Sequence, residues 1–126
     1  MILLPVDEAR GFDELSIATL KVLTSSTACE GYNLVMEAVC RQIGAAKVDE
    51  IVESPEYAEL HRLNGLVFAA INRLAAEGEH PGDYTAMNGP KGLNHQRWLA
   101  KAALQKRFFP TAPLTERKVG YRKDET

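Results

Sequence analysis

The stretch SPEYAELHRLNGLVFAAINRLAAEG, residues 54–78, carries the start and stop signals of one long α-helix. Ser54 is a suitable N-cap, Pro55 fits the first helical position, and Gly78 follows the last turn. Apolar residues recur along the segment with helical spacing: Tyr57, Leu60, Val67, Phe68, Ile71, Leu74 and Ala75. A chain built around such a segment is predicted to be mainly α.

One amide interrupts this apolar stripe. Asn64 falls in the middle of it, and His61 lies at its edge. A buried amide needs hydrogen-bond partners for both its oxygen and its nitrogen. We therefore expect Asn64 either to tie two helices together or to belong to a binding site.

Other helices are predicted on both sides of this segment. Residues 12–28 form the first, with Asp13 as its N-cap, and residues 30–46 form the second, with Gly44 near its end. The second has one apolar stripe: Tyr32, Val35, Met36, Val39, Cys40 and Ile43. With a last helix over 94–109, the expected fold is a three- to four-helix bundle in a single domain spanning 1–126.

Two segments lack helical character. GEHPGDYTAMNGPKG, residues 78–92, is a glycine-rich loop of a length typical of lids and binding loops, and Tyr84 is its only aromatic residue. After Pro110, the terminal segment 110–126 contains LTERKVGY, residues 114–121, which alternates weakly like a β-strand. A single strand has no partner in a helical chain, so it most simply pairs across subunits of a homo-oligomer.

The last helix has polar residues on the face that should be apolar. They recur at i, i+3, i+7 and i+11: Asn94, Arg97, Lys101 and Gln105. Trp98 and Phe108 share their sector, whereas Gln96 and Lys106 already occupy the far side. This polar stripe is either solvated in an unusual way or lines a polar pocket, which would enclose a ligand or tie subunits together.

Composition narrows the class of protein. An apolar fraction of 45% and a charged fraction of 25% are those of a globular chain, and no apolar run approaches a membrane span. The opening MILLPVDEA is too short for a signal peptide, so a cytoplasmic protein is expected. Cys29 and Cys40 stand too far apart on one helix to bridge each other.

Charge is distributed unevenly along the chain. Residues 1–90 hold 6 basic and 14 acidic residues, a net charge of −8, whereas residues 91–126 hold 9 and 3, a net charge of +6. The basic third predicts an anionic ligand, charge pairing between subunits, or simply a solvated basic surface. A long nucleic-acid interface is disfavoured because the acidic body would repel phosphates.

Sequence motifs for catalysis are missing. A MazG-like pyrophosphohydrolase needs two carboxylate pairs to hold magnesium, and only one series is present, at Glu50, Glu53, Glu56 and Glu59. No phosphate loop or nucleophile elbow is found, so we expect no enzymatic activity, no cofactor and no metal. Backbone N–H groups at Gly92 and Leu93 could still bind an anion at a helix N-terminus.

Scattered positions over most of the chain resemble the phage anti-Thoeris sponge proteins. They comprise Tyr84, Asn94, Arg97, the helix-ending Lys106 and Arg107, and Glu116, Arg117, Lys118 and Tyr121 of the terminal strand. The segments DELSIATLK, residues 13–21, and LHRLNGLVF, residues 60–68, add a weaker similarity. The resemblance implies a non-enzymatic protein that sequesters a nucleotide second messenger of bacterial immunity, in particular a cyclic ADP-ribose isomer. Some members also hold cyclic trinucleotides at separate sites of a hexamer.

The resemblance assigns roles to individual residues. Tyr84 would stack on the adenine, Asn94 and Arg97 would contact ribose or phosphate, and Glu116 would meet a ribose hydroxyl. A guanidinium can bind phosphate through two parallel hydrogen bonds, and Lys101 is expected to assist.

This chain departs from the family's pattern in one place. Where an arginine is expected before the terminal strand, it has Pro110 and Thr111, so Arg107 or Arg117 would substitute, or the ligand differs. The alternative function is a small helical oligomeric interaction or regulatory protein with no small-molecule ligand.

Overall fold

The computed structural model describes residues 5–78, 87 and 92–112. Within them the chain forms five α-helices and one short 3₁₀ turn: α1 (Glu8–Thr24), the turn (Ser26–Ala28), α2 (Cys29–Ile43), α3 (Ala45–Val52), α4 (Pro55–Ala76) and α5 (Leu93–Phe108). The prediction of a mainly α chain is confirmed. The predicted strand at 114–121 and most of the loop at 78–92 lie outside the described residues.

The signals at the two ends of α4 work as predicted. The Ser54 hydroxyl oxygen accepts a hydrogen bond from the Tyr57 N–H at 3.1 Å, and Pro55 is the first helical residue. After the helix, Gly78 takes a φ of 77°, a left-handed conformation that glycine adopts without steric cost. The sequence therefore fixes both ends of the longest helix locally.

The prediction for the start of α1 was wrong. The helix begins at Glu8 with Asp7 in the N-cap position, so Asp13 lies well inside it rather than at its start. Asp13 is nevertheless buried, and its negative charge is compensated by a cation on α5. The partner lies 84 residues away in sequence, so a local pattern of capping residues could not reveal it.

Gly44 ends α2, close to where the sequence predicts the end of the second helix. Its φ of 96° and ψ of 136° belong to a region that side chains other than hydrogen disfavour, so α2 ends at Ile43. The chain then starts α3, a helix that the sequence analysis did not predict. With α3, the described residues contain five α-helices rather than the three to four that the sequence predicts.

The core lies where α1 meets α2, α4 and α5, and α4 also packs against α5. Its most deeply buried apolar side chains are Phe12, Leu15, Val48, Ile51, Leu60, Leu63, Leu74 and Leu104. The predicted stripe of α4 is buried in part: Ile71 and Ala75 are exposed, and Val67 and Phe68 are half-buried. No helix of the described residues has the length and apolar character needed to cross a membrane.

Candidate functional site

The polar stripe of α5 faces inward, toward α1 and α4. The Arg97 guanidinium donates from Nη2 to both carboxylate oxygens of Asp13, at 2.9 and 3.1 Å. Lys101 Nζ lies 3.9 Å from the same carboxylate. The side chains of Arg97 and Lys101 are only 19% and 14% exposed, so this ion-pair cluster is largely shielded from water.

Asn64 completes the cluster from α4. Its Oδ1 accepts a hydrogen bond from Arg97 Nε at 2.6 Å, and its Nδ2 donates to Asp13 Oδ1 at 2.9 Å and to Ser16 Oγ at 3.1 Å. Both ends of the amide are thus satisfied although the residue is only 3% exposed. Asn64 is a tie between helices, one of the two roles expected from the sequence, and it joins α1, α4 and α5.

The network continues from Ser16 to His61. Ser16 Oγ lies 2.8 Å from His61 Nδ1, and the His61 ring stacks on Tyr57 with ring centroids 6.1 Å apart. A hydroxyl and an imidazole at this distance have the geometry of a nucleophile and its base. Ser16 is 0% exposed, however, and its oxygen already accepts from Asn64, so no substrate reaches it in this arrangement.

This packing also affects the ionisation of Tyr57. Burial raises the pKa of Tyr57 to about 12, because the phenolate would lose its hydration. Its ring meets the edge of Phe12, with centroids 6.4 Å apart and an interplanar angle of 82°. The phenol therefore stays neutral, and Tyr57 packs in the core as an uncharged side chain.

Arg97 has one nitrogen that points away from this tie. Nη1 contacts Asn94 Oδ1 at 3.4 Å, the longest of the guanidinium's hydrogen bonds. Because Nε and Nη2 are already bonded to Asn64 and Asp13, a two-bond contact between that edge and a phosphate would require breaking the Asp13 pair. The helical spacing predicted that Arg97 lies in an apolar sector, but it did not predict that Asp13 is its partner.

A backbone hydrogen bond links the first turn of α5 to Met87. The Asn94 N–H donates to the Met87 carbonyl at 3.0 Å, and Met87 is buried. The N–H group of Asn94 is thus already satisfied, which weakens the predicted anion site at Gly92 and Leu93. Trp98 stacks on His95 near this end of α5, with ring centroids 5.8 Å apart, and its side chain is half-buried.

Gln105 lies near the other end of the polar stripe. Its Oε1 accepts from the Ala9 N–H at 2.8 Å, and its Nε2 donates to Glu8 Oε1 at 2.7 Å, so it satisfies the first turn of α1. Helix N-termini carry backbone N–H groups with no intrahelical partner, and here a remote side chain supplies one. The sequence grouped Gln105 with the other stripe residues but did not predict this capping role.

The structure separates Arg107 from the Arg97 cluster. Arg107 pairs with Glu56 of α4, and its guanidinium lies 4.8 Å from the centroid of the Phe108 ring. Burial alone would raise the pKa of Glu56, but hydrogen bonds from its own backbone N–H and from Arg107 outweigh this and lower it. With a rise of about 1.5 Å per residue, Arg107 lies roughly 20 Å along the helix from Asn94. These two predicted site residues cannot meet one small ligand within one chain.

The remaining predicted site residues, Tyr84, Glu116 and Arg117, lie outside the described residues. Among residues 5–78, 87 and 92–112, no three side chains of His, Cys, Asp or Glu are grouped so that they could hold a metal ion. Cys29 and Cys40 are free thiols, both on α2.

No protein-family model matches this chain, and no curated protein or solved structure is significantly similar to it.

Proposed function

We propose that this chain is a non-catalytic binding protein that sequesters a nucleotide second messenger of bacterial immunity, a cyclic ADP-ribose isomer or a cyclic oligonucleotide. It would act as a phage counter-defence in the host cytoplasm. The supporting observation is the position of Arg97: two other helices hold its guanidinium beside Asn94, at the end of α5 that follows the segment containing Tyr84. These are the positions to which the resemblance assigns the ligand.

The physical chemistry of the Arg97 cluster supports this proposal. A guanidinium held by a carboxylate and an amide loses little conformational entropy when a ligand arrives, so binding costs less. The positive charge of residues 91–126 attracts an anion to this part of the chain. The cluster is shielded from water, which strengthens a charge-assisted hydrogen bond.

We further propose that the ligand is enclosed between subunits. The helices would form a bundle, and strand 114–121 would pair with a neighbouring copy in a dimer or hexamer, bringing Glu116 and Arg117 to the ligand. Arg107 lies too far along α5 to serve the Asn94 end of its own chain, so it would contribute only to a neighbour's site.

A depletion experiment tests the proposal. The purified protein is incubated with cyclic ADP-ribose isomers and filtered, and the retained fraction is then heated to denature it. Recovery of intact ligand from the heated fraction supports sequestration, whereas a converted product indicates an enzyme. No depletion of any isomer rejects the proposal for these ligands.

Asn94 gives the cleanest substitution for this test. Its only hydrogen bond to Arg97 is long, so Asn94→Ala should remove ligand binding and leave the Asp13–Arg97–Asn64 contacts in place. Leu99→Ala is the matched control, because it shortens an exposed side chain on the same helix. Arg97→Ala is unsuitable, since it would also strip Asp13 of its main partner.

A second function, a helical interaction or regulatory protein without a ligand, is favoured by one observation. Arg97, Lys101 and Gln105 of the polar stripe contact residues of the same chain, so the stripe has a structural role with no ligand bound. These contacts tie helices within one subunit. This function gains support if Asn94→Ala changes nothing and no isomer is depleted.

A further inference from the structure

Two residues to which the resemblance gives no role hold the candidate ligand residue Arg97. We infer that Asp13 and Asn64 are positioning residues of the anion site: they fix the Arg97 guanidinium so that only Nη1, beside Asn94, can reach a ligand. The inference rests on the proposed function. It also specifies the ligand group that Arg97 contacts. A single nitrogen binds one acceptor oxygen, whereas two adjacent nitrogens would hold a phosphate through two parallel hydrogen bonds.

The first step concerns the geometry of the guanidinium. Nε donates to Asn64 at 2.6 Å, and Nη2 donates to both oxygens of Asp13. Phosphate and carboxylate groups are usually gripped through two such adjacent nitrogens. In this chain the protein's own carboxylate and amide occupy that edge, so Nη1 is the nitrogen left on the Asn94 side.

The second step concerns the rigidity of the clamp. Asn64 cannot turn away, because its Nδ2 is bonded to Asp13 and to Ser16 and its side chain is buried. Asp13 in turn receives hydrogen bonds from two helices, α4 and α5. A ligand that displaced Asp13 would leave a carboxylate buried and short of partners, which is a costly state.

The third step concerns the ligand. One charge-assisted hydrogen bond contributes about 1.5–3 kcal/mol, which corresponds to roughly a 10- to 150-fold change in affinity. If the ligand is the proposed nucleotide, the group facing Nη1 is one of its oxygens, on the phosphate or on the ribose. Inorganic pyrophosphate, which offers little besides phosphate oxygens, should bind poorly.

The chain offers a matched pair of variants to test the clamp. Asn64 and Gln105 are both buried amides that tie α1 to other helices, but only Asn64 contacts Arg97. Asn64→Ala and Gln105→Ala should both lower stability. Only Asn64→Ala should weaken binding of the cyclic ADP-ribose isomer that the wild-type protein retains, by tenfold or more in titration calorimetry.

A second measurement reports on the clamp without any ligand. In ¹⁵N NMR spectra of the full chain, the Arg97 Nε–Hε signal should exchange slowly with water in the wild type and in Gln105→Ala, but rapidly in Asn64→Ala. Slow exchange that persists in Asn64→Ala would overturn the inference, and so would equal losses of affinity in the two variants.

The possible failures are distinguishable. If inorganic pyrophosphate displaces the isomer at similar concentrations, the single-acceptor chemistry is wrong while the proposed function stands. If the NMR signals behave as expected but the wild type retains no nucleotide, the proposed function fails, and the clamp is structural with no positioning role.

Discussion

At the scale of single residues, the Asp13–Arg97 pair is more deeply buried than the ion pairs formed within α2 and within α4. Arg62–Glu59 and Arg41–Glu37 lie on the surface, where long side chains must be ordered in water and little net stability results. Asp13 is shielded, so its charge must be compensated within the fold. Removing one partner of a buried pair is expensive because the other charge remains.

Asp13→Asn should therefore lower the free energy of unfolding by about 3 kcal/mol, because the largely shielded Arg97 guanidinium would lose its carboxylate. Urea unfolding at pH 7, followed by circular dichroism, measures the change. Glu59→Gln, which breaks an exposed pair of the same kind, should cost about 0.5 kcal/mol or less. Equal losses of unfolding free energy in the two variants would contradict a larger contribution of the buried pair.

The buried phenol of Tyr57 gives a prediction in alkaline solution. Its pKa in the folded state, about 12, exceeds the unfolded value of 10, so the unfolded chain releases this proton first. The stability associated with the neutral phenol is complete below pH 10 and is lost as the pH rises toward 12. Absorbance at 295 nm should show one tyrosine that ionises late, and Tyr57→Phe should abolish that step. A late step that survives in this variant would contradict the assignment.

At the scale of elements, local signals predicted some features and long-range contacts decided others. The ends of α4 could be read from Ser54, Pro55 and Gly78, because caps act within one turn. The inward direction of the α5 stripe was also visible from its spacing. What sequence could not supply was the partner of each polar group, such as Asp13 for Arg97, since those contacts span many residues.

Replacing glycine by alanine should change stability in opposite directions at two positions. Gly44 joins α2 to α3 with a φ of 96°, so Gly44→Ala should destabilise the fold by about 2 kcal/mol through backbone strain alone. Gly65 lies inside α4, where an added Cβ meets nothing within 4 Å, so Gly65→Ala should stabilise by about 0.5–1 kcal/mol. Thermal unfolding of both variants provides the comparison, and changes of the same sign would refute this account.

At the scale of the whole molecule, the prediction to test is self-association through the terminal strand. Val119→Pro removes a backbone donor from within the predicted strand, so it should convert the oligomer to a monomer while circular dichroism stays helical. Light scattering coupled to size-exclusion chromatography measures the mass. Asp124→Pro is the control, because it lies beyond the strand and should leave the mass unchanged. A wild-type chain that is already monomeric contradicts the predicted oligomer.

The contact between Gln105 and Ala9 has a consequence for how the molecule is made. It joins residues 96 apart in sequence, and the Asp13–Arg97 pair joins residues 84 apart. A chain leaving the ribosome therefore exposes α1 well before α5 is made. Until then, the first turn of α1 lacks Gln105, and Asp13 lacks the Arg97 guanidinium. A product truncated before α5 would keep the Asp13 carboxylate without the Arg97 guanidinium and would leave the apolar residues that α5 covers exposed. Cellular proteases that degrade unfolded chains would remove such a product.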